Sequence, residues 1–211
     1  MIFCLALLAT TFPLSAQSIF STAPIRGGHT WSAASRFGDM LGEAERLYGP
    51  RDKEFTLLGV ELTSVNRPQI WFPGGSKNVL IQVPQRYGND LSRAAVDIAH
   101  EVIHCLNPIT SQTGASVLEE GVAVHFAYYY CQERMRRFDF DVLPPNYTFA
   151  YERVQELLAI DPEAVRKIRE VEPSLSLVTT EQLLPLFPAL DREAADYLTR
   201  RFNALDEVGA F

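Results

Sequence analysis

The feature that most constrains this chain is the motif H-E-x-x-H, formed by His100, Glu101 and His104. In an α-helix, residues four apart lie one turn apart on the same face, so both imidazole rings can converge on one metal ion. The 211 residues contain only four histidines, and two of them have this spacing with a glutamate between them. The motif therefore requires a helix with one face turned toward a polar site.

The flanking residues predict that this helix covers residues 91–106 and is buried on one side. Asn89 and Asp90 are suitable N-cap residues, and the pattern stops at Asn107 and Pro108. The face opposite the motif is apolar and consists of Leu91, Ala94, Ala95, Ile98, Ala99, Val102, Ile103, Cys105 and Leu106. Such a stripe is typical of a helix packed against a core. A core helix with two incidental histidines is the alternative interpretation.

A second helix is predicted to carry a third ligand, Glu120, which lies sixteen residues after His104. Its neighbours on a helical wheel are small or apolar: Ser116, Val117, Ala123, Val124, Ala127 and Cys131. A carboxylate in these surroundings is costly to bury unless it is paired or bound to a metal. Glu119 points about 100° away and is predicted to lie at a rim. His125 lies about 140° from Glu120, which favours a structural role for this histidine.

Two motifs, H-E-x-x-H at residues 100–104 and L-E-E-G-x-A at residues 118–123, together resemble the gluzincin metallopeptidases, the thermolysin-like and aminopeptidase-like branch of the zincins. The resemblance covers about residues 91–130, or two helices. It implies a zincin-like α+β fold, with a small antiparallel sheet and an active-site helix followed by a helical C-terminal half. Metzincins and peptide deformylases also carry H-E-x-x-H, but this chain lacks their further ligands at the required places.

The resemblance also implies the chemistry of the site. His100, His104 and Glu120 are the implied zinc ligands, and Glu101 is the implied general base. The corresponding function is a zinc-dependent peptidase that hydrolyses peptide bonds in a peptide or protein substrate. A zincin-like binding or regulatory module without catalysis is the alternative from another class of protein.

A peptidase also needs a donor that stabilises the oxyanion of the tetrahedral intermediate. Related enzymes use a tyrosine or histidine downstream of the zinc motif. The candidates here are Tyr147, Tyr151, Arg153 and the tyrosines at 128–130, and their spacing does not choose among them. Asp97 shares the polar face of the motif helix. It is predicted either to hold a histidine ring or to be a solvated helix acid.

Before the motif helix, the sequence predicts another helix and a small sheet. The helix covers residues 31–48 and ends at Gly49. Apolar runs with strand-forming residues predict strands at 55–64, 68–72 and 78–83, with the last two joined as a hairpin. In zincins an edge strand of this sheet holds the substrate, and residues 69–72 and 78–83 are both candidates for that role. An edge covered only by solvent is the alternative.

After the second ligand helix, the chain is predicted to be helical. The helices are expected at residues 147–160, 162–170, 181–187 and 192–205. We predict a single domain over residues 17–211, with a sheet-containing upper part at about 30–106 and a helical lower part at about 107–211. The cleft is expected between these parts.

Charge and the N-terminal residues bear on partners and location. The net charge is -7 without any basic block, so nucleic acid is not an expected partner. Residues 1–16 are apolar and uncharged but short for a membrane span, so no stable span is expected. They predict a signal peptide, and therefore a secreted or periplasmic protein. Because they contain no Lys or Arg, a buried N-terminal element in a cytoplasmic protein is the alternative.

Cys105 and Cys131 lie close in sequence to the two ligand motifs. A straight second helix places Cys131 about 16 Å along its axis from Glu120. A disulfide requires Cα atoms within about 7 Å of each other. We therefore predict two buried free thiols, with a bridge between the two helices as the alternative.

Overall fold

The structure, a computed structural model, describes residues 32–75, 77–87, 91–110, 114–136, 140 and 143–202. These residues form seven α-helices and one three-stranded sheet, which confirms the predicted α+β class. No helix among them has the length and apolar character needed to cross a bilayer. The predicted signal peptide, the predicted N-caps Asn89 and Asp90, and the end of the last predicted helix lie outside the described residues.

The sheet is mixed rather than antiparallel. Its strands are β1 (Thr56–Thr63), β2 (Gln69–Trp71) and β3 (Asn78–Pro84). The hairpin of β2 and β3 is antiparallel, but β3 lies between the other two strands and runs parallel to β1. The prediction of an antiparallel sheet is wrong for β1, because the chain passes to the far edge before the hairpin returns β3 to the centre.

The central position of β3 rules it out as a substrate-holding edge strand. Both of its sides are paired with neighbouring strands. Its inward side chains Val79, Ile81 and Val83 are buried, as expected for the middle strand of a sheet covered by helices. The candidate role of residues 78–83 was therefore wrong, whereas β2 lies at an edge of the sheet.

Two helices of the upper part flank this sheet. Helix α1 (Ala33–Tyr48) begins after Ser32, whose side chain accepts the backbone N–H of Ser35, and it ends at Gly49 with a positive φ of 91°. The motif lies on α2 (Leu91–His104), which ends two residues before the predicted boundary because the chain turns there.

Helix α3 (Val117–Met135) carries the second motif and runs through the centre of the molecule. It packs between α2 and α4 (Pro145–Ile160). Cys105 and Cys131 are both buried free thiols, which confirms the unbridged state predicted for them. Because α3 contacts both halves, its first turn is held firmly beside the motif helix.

Three further helices complete the lower part: α5 (Ala164–Val171), α6 (Thr180–Leu186) and α7 (Arg192–Thr199). The last helix ends at Thr199, before the boundary predicted for it. Residues 200–202 are extended, and the carbonyl of Arg200 accepts the N–H of Val117 while the N–H of Phe202 donates to the carbonyl of Ala115. These backbone hydrogen bonds hold the extended segment against the start of α3. Helix α7 therefore ends before this segment.

Candidate metal centre

The first turn of α3 and the last turn of α2 bring His100, His104 and Glu120 together. One ligand atom from each side chain lies within 4.8 Å of the others. The two Nε2 atoms are 3.4 Å apart. The Glu120 carboxylate oxygens lie 3.1 Å from Nε2 of His100 and 3.7 Å from Nε2 of His104. The predicted ligand set therefore forms one cluster.

These separations fit a tetrahedral metal ion. Ligand atoms about 2.1 Å from a tetrahedrally coordinated ion lie about 3.4 Å from each other. The Nε2 atoms of the two histidines lie 3.4 Å apart, which equals that value, while one oxygen of Glu120 lies 3.1 Å from Nε2 of His100 and the other lies 3.7 Å from Nε2 of His104. Two imidazole nitrogens and one carboxylate leave a fourth coordination position, as in catalytic metal sites. The chemistry of these donors suits a divalent transition metal.

The position of Glu120 follows from the way α3 begins. Ser116 is the N-cap of this helix, and its side chain accepts the N–H of Glu119. The N–H of Glu120 donates to the carbonyl of Ser116. Both glutamates thus lie in the first helical turn, where the helix dipole favours negative charge. This local electrostatic effect offsets part of the cost of burying two adjacent carboxylates.

The predicted rim position of Glu119 is wrong. Its side chain is 9% exposed, and its Oε1 accepts the Nδ1–H of His104 at 2.8 Å. Ser176 donates its hydroxyl to the other carboxylate oxygen. The 100° between consecutive residues is compatible with this arrangement because an imidazole ring has nitrogens on both sides. Glu120 therefore lies near Nε2 of His104, while Glu119 holds Nδ1 of the same ring.

The charges of the cluster are strongly coupled. Burial alone would lower the pKa of His104, but attraction to Glu119 and Glu120 raises it to about 10. For Glu120, burial raises the pKa, but attraction to His104 and the hydrogen bond with His100 lower it overall. Together with Glu101, three carboxylates surround two imidazoles. A divalent cation would neutralise this excess of negative charge.

The predicted base, Glu101, is buried beside the cluster. Its exposed fraction is 6%. Burial raises its pKa above the usual value, although attraction to His104 and His100 opposes that shift. A carboxyl group with a raised pKa is suited to taking up a proton and releasing it again.

Two cavities meet at the cluster and share five lining residues: Arg67, Pro68, His100, Glu101 and Tyr147. The first cavity, of about 230 Å³, lies between α2, α3 and the start of α4, and most of its wall is apolar. We call it the apolar cavity. The second cavity, of about 480 Å³, is bordered by Gln69 and Ile70 of β2 and by Phe202. The two cavities therefore adjoin each other beside His100 and Glu101, and we call them together the cleft.

Tyr147 is the oxyanion-donor candidate that the structure places at the cluster. Its ring centroid lies 5.9 Å from that of His100, and it lines both cavities. Burial raises the pKa of its hydroxyl, which therefore remains a hydrogen-bond donor at neutral pH. The ring also contacts Phe202.

The other donor candidates are engaged elsewhere or lie further from the ligands. Tyr128 borders only the apolar cavity. The hydroxyls of Tyr129 and Tyr130 donate to carboxylates of α1, and Tyr151 stacks on His125. Arg153 forms an ion pair with a neighbouring residue of its own helix. Neither cavity is lined by Tyr129, Tyr130, Tyr151 or Arg153.

The remaining polar candidates are now also placed. Asp97 lines the apolar cavity near His100. The Nδ1 atom of His104 is held by Glu119. His125 lies outside the cluster and is hydrogen-bonded to Gln155 at 2.7 Å, with its pKa lowered by burial. This environment agrees with the structural role predicted for it.

Three residues of the site had no signal in the sequence. Arg67 comes from the loop between β1 and β2, Ser176 from a short 3-10 turn before α6, and Phe202 from the extended segment after α7. They reach the cleft through long-range packing rather than through a local periodic pattern.

Comparison of the chain with protein families, curated proteins and solved structures gives no match.

Proposed function

We propose that the protein is a zinc-dependent peptidase with a zincin-like fold of gluzincin type. The observation that carries the proposal is the spacing of the ligand atoms of His100, His104 and Glu120, with buried Glu101 beside them. The cleft supports it further, because a peptide can lie across the cluster with side chains on both sides. The exported location predicted from residues 1–16 belongs to the same proposal.

In the proposed reaction, a bound Zn²⁺ would polarise the substrate carbonyl and lower the pKa of water. Glu101 takes a proton from the attacking water and passes it to the leaving amine, since its raised pKa allows both steps. The Tyr147 hydroxyl donates a hydrogen bond to the oxyanion that develops on the carbonyl. The outer edge of β2, the strand that borders the second cavity, pairs with the substrate main chain, which is a sequence-tolerant form of recognition.

Elemental analysis and a cleavage assay test the proposal together. Protein purified without added metal should contain about one zinc per chain, and Glu120→Ala should lose most of it. Glu101→Gln should retain the zinc but lose nearly all chelator-sensitive cleavage of an unfolded protein substrate. Glu133→Gln is the matched control, because Glu133 lies on the same helix as Glu120 with a side chain that is 57% exposed.

The possible results separate the two classes of function. A Glu101→Gln variant that retains most of its activity would contradict the role of the base. Stoichiometric zinc without cleavage by the wild-type protein would support the binding or regulatory module instead. Absence of zinc after refolding in its presence would contradict the peptidase and leave the binding or regulatory module as the remaining interpretation.

A further inference from the structure

The apolar cavity has the size and lining of a side-chain binding site. Its wall includes Val96, Val124, Ala127, Tyr128, Leu143 and Pro144. A dry cavity of about 150 Å³ lined by apolar side chains is large enough to hold a benzene molecule. The volume here is about 230 Å³, so a large aliphatic or aromatic side chain fits. Because His100 and Glu101 form part of the wall, that side chain would belong to a residue next to the scissile bond.

Arg67 brings a positive charge to the junction of the two cavities. It is exposed, and it precedes Pro68 in the loop that enters β2. Among the described residues, its guanidinium forms no hydrogen bond or ion pair with another side chain. Its position nevertheless brings this charge to the cleft, because Arg67 lines both cavities. A guanidinium offers paired donors that match the geometry of a carboxylate.

The other charged residues of the apolar cavity do not duplicate this role. Arg93 and Asp97 lie four residues apart on α2, and oppositely charged side chains at this spacing offset each other. The acidic residues of this wall, Asp97 and Glu101, do not attract a carboxylate. Apart from the zinc of the proposed function, Arg67 is therefore the cation that attracts a negatively charged substrate group where the two cavities meet.

We propose that the cleft selects peptides in which a large apolar residue occupies the apolar cavity and an adjacent carboxylate binds Arg67. This inference rests on the proposed peptidase function and specifies its substrate class. The carboxylate can be the C-terminus of the substrate or an acidic side chain, since a guanidinium binds both in the same way. The first source makes the protein a C-terminal exopeptidase, and the second makes it an endopeptidase.

Binding to the zinc-loaded Glu101→Gln protein tests the inference without substrate turnover. Three fluorescent peptides share one sequence that contains a single phenylalanine. The first ends in a free carboxylate directly after the phenylalanine. The second is amidated there, and the third is amidated with a glutamate after the phenylalanine. At least one carboxylate peptide should bind about tenfold more tightly than the amidated peptide, and the peptide that gains identifies the source.

The variant Arg67→Gln, made in the same background, should abolish this preference while leaving the zinc content unchanged. Arg192→Gln is the matched control, because Arg192 is 63% exposed at its side chain and lies outside both cavities. Replacement of the phenylalanine by alanine should weaken binding of every peptide about tenfold, owing to the loss of apolar contacts.

Three results would overturn the inference. The first is equal binding of the three peptides, and the second is a preference for a carboxylate peptide that remains in Arg67→Gln. The third is unchanged affinity when alanine replaces the phenylalanine of the peptide. Cleavage by the wild-type protein, measured in parallel, separates this failure from failure of the proposed function. Cleavage without the preference contradicts the inference alone. The expected binding preference without cleavage supports the inference as a recognition property and contradicts the peptidase function.

Discussion

Glu119 fixes the orientation of His104 from the side opposite the cluster. Its carboxylate accepts the Nδ1–H at 2.8 Å and is itself held by the hydroxyl of Ser176. An outer carboxylate of this kind sets the tautomer of the ring and makes Nε2 more basic. We expect Glu119→Ala to lower zinc affinity by about 10–100-fold. Glu119→Gln should lose less, because an amide oxygen can still accept the bond.

Competition with a chromophoric chelator measures these affinities. Glu133→Ala is the control, since it removes an exposed carboxylate from the same helix. Equal affinities of the wild-type protein and Glu119→Ala would show that His104 needs no support from this carboxylate.

Glu43 on α1 should make the stability of the protein depend on pH. Its carboxylate accepts two hydrogen bonds from Arg46, at 2.9 and 2.8 Å, and one from Tyr129 at 2.7 Å. The bonds from Arg46 have the largest effect and lower the pKa of Glu43 from 4.5 to about 2, although burial opposes them. Because the folded-state pKa is depressed, the stabilisation is present above pH 4.5 and is lost as the pH falls toward 2.

Urea denaturation of Glu43→Gln measures this contribution. At pH 7 the free energy of unfolding should fall by about 1–2 kcal/mol. The difference from the wild-type protein should shrink at pH 3, where the unfolded chain is protonated. Glu54→Gln is the control, because its ion pair with Lys77 is exposed and should contribute little. A difference that is the same at both pH values would contradict the assigned cause.

At the scale of elements, the close contact of α3 and α4 depends on Gly121. A Cβ atom at this position would overlap the carbonyl oxygen of Ala150 and lie 2.6 Å from Cγ2 of Val154. We expect Gly121→Ala to destabilise the protein by about 1–3 kcal/mol, because the helices must separate. This loss should occur although alanine has the higher helix propensity.

The matched control is Gly38→Ala on α1, where a Cβ atom would meet nothing within 4 Å. That substitution should stabilise the helix by about 0.5–1 kcal/mol. Thermal unfolding of both variants gives the comparison, and zinc content reports whether the shift of α3 reaches the neighbouring Glu120. Stabilisation by both substitutions would mean that α4 moves freely away from α3.

Helical periodicity explains why the grouping of His100, His104 and Glu120 could be predicted from sequence. The four-residue spacing of His100 and His104 fixes their common face, and the small neighbours of Glu120 indicate a buried turn. The same local patterns located the three strands to within two residues at each end. These patterns do not predict the order of the strands in the sheet, because the alternation of side chains indicates only which face of a strand is buried. The parallel pairing of β1 therefore could not be predicted from these patterns.

Residues brought to the site by long-range packing were also beyond such patterns. Ser176 and Phe202 lie in segments without regular periodicity, and backbone bonds to the start of α3 position the second of them. The position of Glu119 was predicted wrongly for a related reason. A helical wheel gives its direction relative to Glu120, whereas its contact depends on how α2 crosses α3.

At the scale of the whole molecule, Arg169 on α5 joins the lower helices to the upper part. Its guanidinium donates to the carbonyls of Tyr48, Gly49 and Pro50 at 2.8–2.9 Å and to the side chain of Asn107 at 2.6 Å. These acceptors lie at the end of α1 and just after the ends of α1 and α2. Burial lowers the pKa of Arg169 to about 10, so the side chain remains charged at neutral pH.

Replacement of Arg169 should therefore lower the stability of the whole folded structure. We expect Arg169→Met to lower the free energy of unfolding by about 3 kcal/mol or more, because several buried acceptors lose their donor. The free energy of unfolding of Arg169→Lys should lie between those of the wild-type protein and Arg169→Met. An ammonium group keeps the charge but cannot reach all of the buried acceptors. Urea denaturation at pH 7, with exposed Arg192→Met as the control, measures both.

Because α3 packs against both halves, we expect a single transition with an unchanged slope. Two transitions in Arg169→Met would instead mean that the lower helices unfold separately and that Arg169 is what makes the two parts one cooperative unit.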